Sequence, residues 1–334
     1  MTTTLSAEVE APPARALSHR GRRRQSAIAR QDRVGFFYVA PFFVHFILFG
    51  AIPIVFTTGL AFFNVDWSVY YDFLTRHNMQ ALRDAWAGVN NFRELFADPY
   101  FWLALKNTFS IWAISTVPQL IMAFALAMLL ANPKLRGSST WRTLLMVPNI
   151  TSVLAVAIVF QQIFGRDYGL INVGLHYLNV GPIEWVNDRL PSHMAIATMI
   201  NWRWLGYNSL ILLAAILAIP RELYESAAID GASRFKTVWY VTIPQLRNTI
   251  TFMLIMGTIG GLGLFVEPLT YGGGLDGGAN SQFLTLTLYL FKQLNANERL
   301  GYAAAIGVGI TLVVIVISAL NFLITRRIAS EDAR

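Results

Sequence analysis

Glu225-Ser-Ala-Ala-Ile-Asp-Gly231-Ala-Ser-Arg-Phe-Lys-Thr-Val-Trp-Tyr-Val-Thr-Ile-Pro244 is a charged, amphipathic run between two segments, about 194–219 and 248–267, each apolar enough to cross a bilayer. A connector that only returned the chain could be shorter and plainer. Pro220 suits a helix start, and Glu222, Tyr224 and Glu225 open a first short helix. Gly231 can turn left-handed at no steric cost. Asp230 stands where it could accept hydrogen bonds from the free amides of the next helix. Phe235, Val238 and Trp239 recur at i, i+3 and i+4, which puts one apolar face on a second helix. Two uses fit such a stub: docking into a groove of a partner protein, or lying on the inner leaflet as an interfacial helix.

Working outward, 55% of the 334 residues are hydrophobic and 13% are charged, whereas soluble domains carry about 25% charged residues. The chain is therefore expected to be an all-α, polytopic membrane protein. Its net charge of +7 is matched to a bilayer and not to nucleic acid. With no cysteine, disulfides, thiolate metal sites and cysteine nucleophiles are excluded. The five histidines show no metal-ligand spacing, so no metal site and no catalytic residue is expected. A span needs about 20 mostly apolar residues, and six runs qualify: about 34–63, 103–131, 143–164, 194–219, 248–267 and 301–325. The first is too long for a signal-peptide core and is expected to kink near Pro41 or Pro53. Residues 1–33 read as a basic, disordered tail, 34–325 as the transmembrane domain, 220–247 as its charged loop, and 326–334 as a second tail.

Lysine and arginine bias orients the spans. With the amino terminus inside, the inside segments carry seventeen basic residues and the outside loops seven. Both termini and the 220–247 loop are then cytoplasmic.

The loop resembles the EAA loop of ABC importer membrane subunits: E-A-A, three residues, G, nine residues, then I-x-L-P. Here it reads Glu225-Ser226-Ala227, Gly231, then Val241-Thr242-Ile243-Pro244, with Ser226, Val241 and Ile243 as small departures. Ile219-Pro220, the Asp230-Gly231-Ala232 core and Phe235 also fit. Ala40-Pro41-Phe42, Asn91-Phe92, Asp98-Pro99, Asn107-Thr108, Pro148-Asn149, Trp202 and Gly206-Tyr207 are similar to the carbohydrate-uptake permeases. Leu269-Thr-Tyr-Gly-Gly-Gly274 resembles the L-T-x-G-G-P run of the maltose-transporter-like first permease, with Gly274 in place of proline. The resemblance implies a type I importer permease fold in a bacterial-type plasma membrane. It implies a heterodimer with a second permease, a dimer of cytoplasmic ATP-binding subunits, and an extracytoplasmic solute-binding protein. The chain would then be no enzyme and hold no cofactor, ATP being hydrolysed by a partner; indeed it has no G-x-x-x-x-G-K-[S/T] run. Glu225, Ala227, Asp230, Gly231, Ala232, Arg234, Phe235 and Pro244 carry over as coupling residues. The solute implied is a mono- or oligosaccharide. The alternatives are a polyol or glycerol phosphate ester, or a self-contained secondary carrier; internal repeats typical of the last are not found.

Polar residues inside spans are functional-site candidates by default. Asn201, Trp202, Arg203, Trp204, Tyr207 and Asn208 offer aromatic faces for sugar rings and polar groups for hydroxyls, and Asn149, Gln161 and Glu267 could join them. Bland readings stand beside this one. Trp202 and Trp204 fit an aromatic belt, Arg203 and Glu267 an ion pair, and Asn149 a cap on a break at Pro148. Gly257, Gly260, Gly261 and Gly263 fit close helix packing.

Overall fold

The computed structural model describes residues 38–331. The tail expected over 1–33, the start of the first expected span at 34–37, and residues 332–334 lie outside the described residues. The described residues are helical between connecting loops, and the one extended pairing among them is an antiparallel bridge from Phe63 to Trp86.

The chain divides into two units, 1–59 and 60–334. The described part of the first is essentially one helix, α1 (Tyr38–Leu60). Neither of its prolines interrupts it. Ahead of Pro53 the helix widens into a π turn over Ile47–Ala51, closed by the Ile52 amide on the Ile47 carbonyl. Proline has no amide to give and its ring crowds the carbonyl four residues back; a widened turn absorbs both.

In the second unit, three short helices, α2 (Trp67–Arg76), α3 (Met79–Asp84) and α4 (Asn90–Ala97), lead into the long α5 (Pro99–Leu130). A broken pair follows, α6 (Ser138–Ile150) and α7 (Val153–Ile163), bent by 91°. After α8 (Leu170–Tyr177) comes α9 (Arg189–Leu217), which turns by 71° into α10 (Arg221–Ile229). Next are α11 (Arg234–Leu262) and, across a 42° bend, α12 (Val266–Gly272). The chain ends with α13 (Leu286–Asn295) and α14 (Leu300–Glu331). By length and apolarity α1, α5 and α14 can each cross a membrane alone, and the three bent pairs pass the same test together, so up to six spans are present among the described residues.

The core of the second unit is layered along α5 and α9. At the end nearer α10, Ala123, Ala127 and Leu130 of α5 pack with Leu212, Leu213 and Ile216 of α9 and with Leu246 and Met253 of α11. Toward the other end, Ile111 packs with Phe160, Ile196, Met199 and Tyr271, and Phe101 with Leu286, Tyr302 and Ile306. Side chains noted for their family resemblance turn out to be pins of this second end. Asp98 caps α5 through Tyr100 N (2.8 Å), and its other oxygen accepts from the Tyr302 hydroxyl (2.6 Å) and from Tyr289. Burial, with the Asp98 carboxylate alongside, pushes the Tyr289 hydroxyl well above the ordinary phenol range, so it stays a donor. Asn91 donates to the carbonyls of Ala61 and Phe63. Asn107 donates to those of Ser281 and Leu284, and Thr108 Oγ1 accepts the Leu286 amide.

Two local expectations need correction. The break in the third expected span is not at Pro148, which lies within α6. It falls three residues on, where Thr151 (ψ 143°) and Ser152 (ψ 126°) are extended. Thr151 Oγ1 turns back to the Val147 carbonyl (2.8 Å) and closes the frayed end. Nor does Asp230 cap the following helix. It is the C-terminal cap of α10, and Ser233 receives the Lys236 amide instead.

One loop is held by a single buried side chain. Asn172 of α8 donates to the carbonyls of Arg166 (2.8 Å) and Ile183 (2.9 Å) and accepts from Ile183 N (3.1 Å) and Trp185 Nε1 (2.9 Å). A buried donor or acceptor left without a partner costs about 1–3 kcal/mol. Asn172→Leu is therefore expected to destabilise the purified protein by about 2–4 kcal/mol and to expose residues 165–185 to protease, measured by thermal unfolding and limited proteolysis. An unchanged midpoint would show that the clamp is dispensable.

Candidate functional site

Two groups of candidate residues occupy different levels of the second unit. The first is the elbow between α9 and α11. Gly231 sits at φ +73°, and the Ala232 amide reaches back to the Ala227 carbonyl (2.9 Å) while the Gly231 amide reaches Ala228 (3.1 Å). This is the usual way a left-handed residue closes a helix. Beyond it, α11 begins at Arg234 and runs through a π turn over Val238–Thr242, where the Ile243 amide bonds Val238 just before Pro244. The pattern is the same as the one ahead of Pro53. Phe235 and Trp239, 76% and 57% exposed, stack one turn apart with centroids 6.3 Å from each other. Glu225, Asp230 and Arg234 are exposed as well, and none of them forms an ion pair among the described residues. Tyr224 ties α10 to α11 through Thr242 Oγ1 (3.3 Å). The elbow thus has a fixed backbone and a free face of two stacked rings bordered by charge.

The second group lies midway along α9, and its members do not all converge. Trp202 turns toward α7, its ring 5.8 Å from that of Phe160. Gly206, on the same side of the helix, lies so near α6 that an added Cβ would fall 1.8 Å from the Leu145 carbonyl oxygen. On the other side Trp204 and Tyr207 meet edge to face at 5.8 Å. The Arg203 guanidinium lies 5.9 Å from the Trp204 ring. Asn208 donates to Gln119 Oε1 of α5 (2.8 Å). Arg203 and Glu267 of α12 form an ion pair at 3.1 Å, with side chains only 15% and 9% exposed. Asn149 lies within α6, and no hydrogen bond reaches its side chain among the described residues. Gly261, one of the glycines at the end of α11, lies against Trp112, 2.5 Å from where its Cβ would be, a close-packing contact between α11 and α5.

Gln119 is a member that sequence reasoning missed. It is buried and mid-span, and its Nε2 has no partner, like Asn201 Oδ1 and Arg203 Nε nearby in sequence to Asn208. An amide within an apolar helix was the available signal. The arrangement therefore offers two aromatic faces, Trp204 and Tyr207, with amides and one neutralised charge pair behind them. That suits a neutral, hydroxyl-rich solute better than an ion.

The family described as binding-protein-dependent transport system inner membrane component matches residues 34–330. The chain is 38% identical over 243 residues to the lactose transport system permease protein LacF of Rhizobium radiobacter, covering 72% of this chain and 81% of LacF. It is 29% identical to the diacetylchitobiose uptake system permease protein NgcF of Streptomyces coelicolor, covering 94% and 88% of the two chains. Its fold is similar to a chain in the crystal structure of a bacterial ABC transporter that imports the acidic polysaccharide alginate, with TM-score 0.69, 22% identity and coverage of 91% and 99%.

Removing one partner of a buried ion pair strands the other charge, at about 3–5 kcal/mol, whereas removing both is often nearly neutral. Glu267→Gln is accordingly expected to lower the unfolding midpoint of the purified assembly sharply, and Arg203→Met combined with Glu267→Met to recover most of it. A Glu267→Gln variant as stable as the parent would mean that the pair is not closed in the membrane.

Proposed function

The chain belongs to the inner-membrane components of binding-protein-dependent transport systems, and within such a system we propose that it forms half of an ABC importer's pathway for a mono- or oligosaccharide. The observation that carries this reading is the α10–α11 elbow, a structured and exposed projection between two spans. Its rigid backbone, free ring pair and charged border suit a groove on an ATP-binding subunit better than a leaflet surface, since Glu225 and Asp230 would face acidic headgroups there. A second permease completes the pathway, and an extracytoplasmic binding protein delivers the solute. The elbow and both termini are cytoplasmic in this arrangement, in keeping with the basic residues beside them. The chain itself hydrolyses nothing; ATP is bound and cleaved by the partner.

Coupling then works as a lever. The closing ATPase dimer moves α10, and the Tyr224–Thr242 contact and the cluster around Leu213, Ile216 and Leu246 carry that motion into α9, α11 and α5. Glu225 anchors the elbow by a charge-assisted hydrogen bond to the ATPase, and Gly231 sets the bend that lets Phe235 and Trp239 face the groove. The carbohydrate class is supported by the relatives named for lactose and diacetylchitobiose and by the Trp204–Tyr207 edge with Asn201 and Asn208 beside it.

A β-branched residue at φ +73° is strained by about 1–3 kcal/mol. Gly231→Val is expected to abolish uptake and solute-stimulated ATPase activity while the complex still assembles in the membrane; normal uptake would refute the lever. Trp204→Ala with Tyr207→Ala is expected to depress uptake of the cognate sugar by about 5- to 150-fold, since each lost aromatic stacking contact is worth about 0.5–1.5 kcal/mol. Unchanged uptake kinetics in a fully assembled complex would remove these rings from the pathway.

A further inference from the structure

Lys106 is a basic residue about two helical turns inside α5, and no carboxylate pairs with it among the described residues. It faces an open groove of about 410 Å³ between α5 and α14, lined by Leu105, Lys106, Phe109, Ser110, Val313 and Ile317. The Ser110 hydroxyl is already hydrogen-bonded to His193 (2.9 Å), so among the described residues the lysine is the free polar group on an otherwise apolar wall.

Depth orders these residues. At 1.5 Å per residue, Lys106 lies about 10 Å along α5 from Pro99, and Ile317 about 25 Å along α14 from Leu300. Near those ends both helices pack against α13, in the cluster of Phe101, Ala104, Leu286, Tyr302 and Ile306. Tyr100 and Trp102 are exposed just above Lys106, which is where amphipathic rings sit at the headgroup level. A lysine stem can lift its ammonium toward that level while its methylenes line the groove. The groove therefore has a cation at its shallow end and hydrocarbon at its deep end.

That is the complement of an acidic amphiphile. We infer that the α5–α14 groove binds one acidic phospholipid from the leaflet at the Pro99 end, its phosphate on Lys106 and an acyl chain along Phe109, Val313 and Ile317. A zwitterionic lipid brings its own ammonium to the site and gains less. A helix of a partner subunit would have to supply an acid at this depth to leave Lys106 paired, at a cost that a lipid phosphate avoids.

The test uses the assembled complex in nanodiscs of equal phosphatidylglycerol and phosphatidylcholine with matched chains. After transfer to detergent, retained lipid is counted by mass spectrometry. Phosphatidylglycerol should be enriched over phosphatidylcholine. Lys106→Gln should lower its retention about fivefold, the worth of one basic residue at an anionic surface, and Lys106→Arg should preserve it. Val313→Trp, which fills the deep end, should lower retention with the lysine intact, and it decides the matter alone if Lys106→Gln fails to assemble. Equal retention of the two lipids, or equal phosphatidylglycerol on the parent and on these variants, would overturn the site. So would a cysteine at position 106 that crosslinks efficiently to the second permease, because a protein helix would then occupy the groove.

Discussion

In hydrocarbon a backbone amide or carbonyl has no water to turn to, so each must find a partner within the protein. Much of this architecture is that constraint worked out at particular residues. Where Pro53 and Pro244 cannot donate, the preceding turns widen instead of opening. Where α11 ends short of α12, the freed Leu264 and Leu262 carbonyls accept from Thr285 Oγ1 (2.8 Å) and Thr287 Oγ1 (3.4 Å). Where α6 stops before α7, Thr151 turns back on its own helix. At both of these breaks a threonine hydroxyl takes up a carbonyl that the helix leaves open.

The same constraint makes the spans stiff, and stiffness is what a transmission element needs. The α5–α9–α11 cluster joins the helix ends nearest the elbow, while the Asp98, Asn107 and Asn172 pins fix the opposite end. Between the two lies the stretch of α9 with Arg203, Trp204, Tyr207 and Asn208, held among the described residues by two cross-helix polar contacts, to Glu267 and to Gln119. A motion imposed at the elbow would be taken up in this middle layer, which is also where a solute could meet aromatic and amide groups. One fold thus sets the exposed elbow, a sparsely tied middle layer and a pinned far end along the same helices.

How much was legible in the amino-acid sequence depends on the reach of each interaction. The elbow was readable because its determinants are local: Pro220, Gly231 and Pro244 act on their own turns, and the i, i+4 pair Phe235 and Trp239 shares a face by helix geometry. The cap was misassigned because once Gly231 goes left-handed it is Ser233, and not Asp230, that stands at the start of α11. At Pro148 the ring was correctly placed near a break, but the extended residues come three positions later. Contacts between distant residues left no such trace. Arg203 and Glu267 are 64 positions apart, and both ligand and ion-pair roles suited their chemistry until the 3.1 Å distance joined them. Gln119 lies 89 positions from Asn208, and it drew no notice in an apolar helix. Asn172 was hidden in a polar loop where an asparagine is unremarked, although it organises that loop.

On its own this chain is expected to move no solute; it works as one part of an ATP-driven assembly. The most direct measurement is affinity purification of the tagged chain from its native membrane, with the recovered subunits identified and the isolated material assayed in liposomes. A second permease and an ATP-binding subunit should be recovered with it, and uptake should require ATP and an added binding protein. A chain that purifies alone and carries solute down an ion gradient would contradict this.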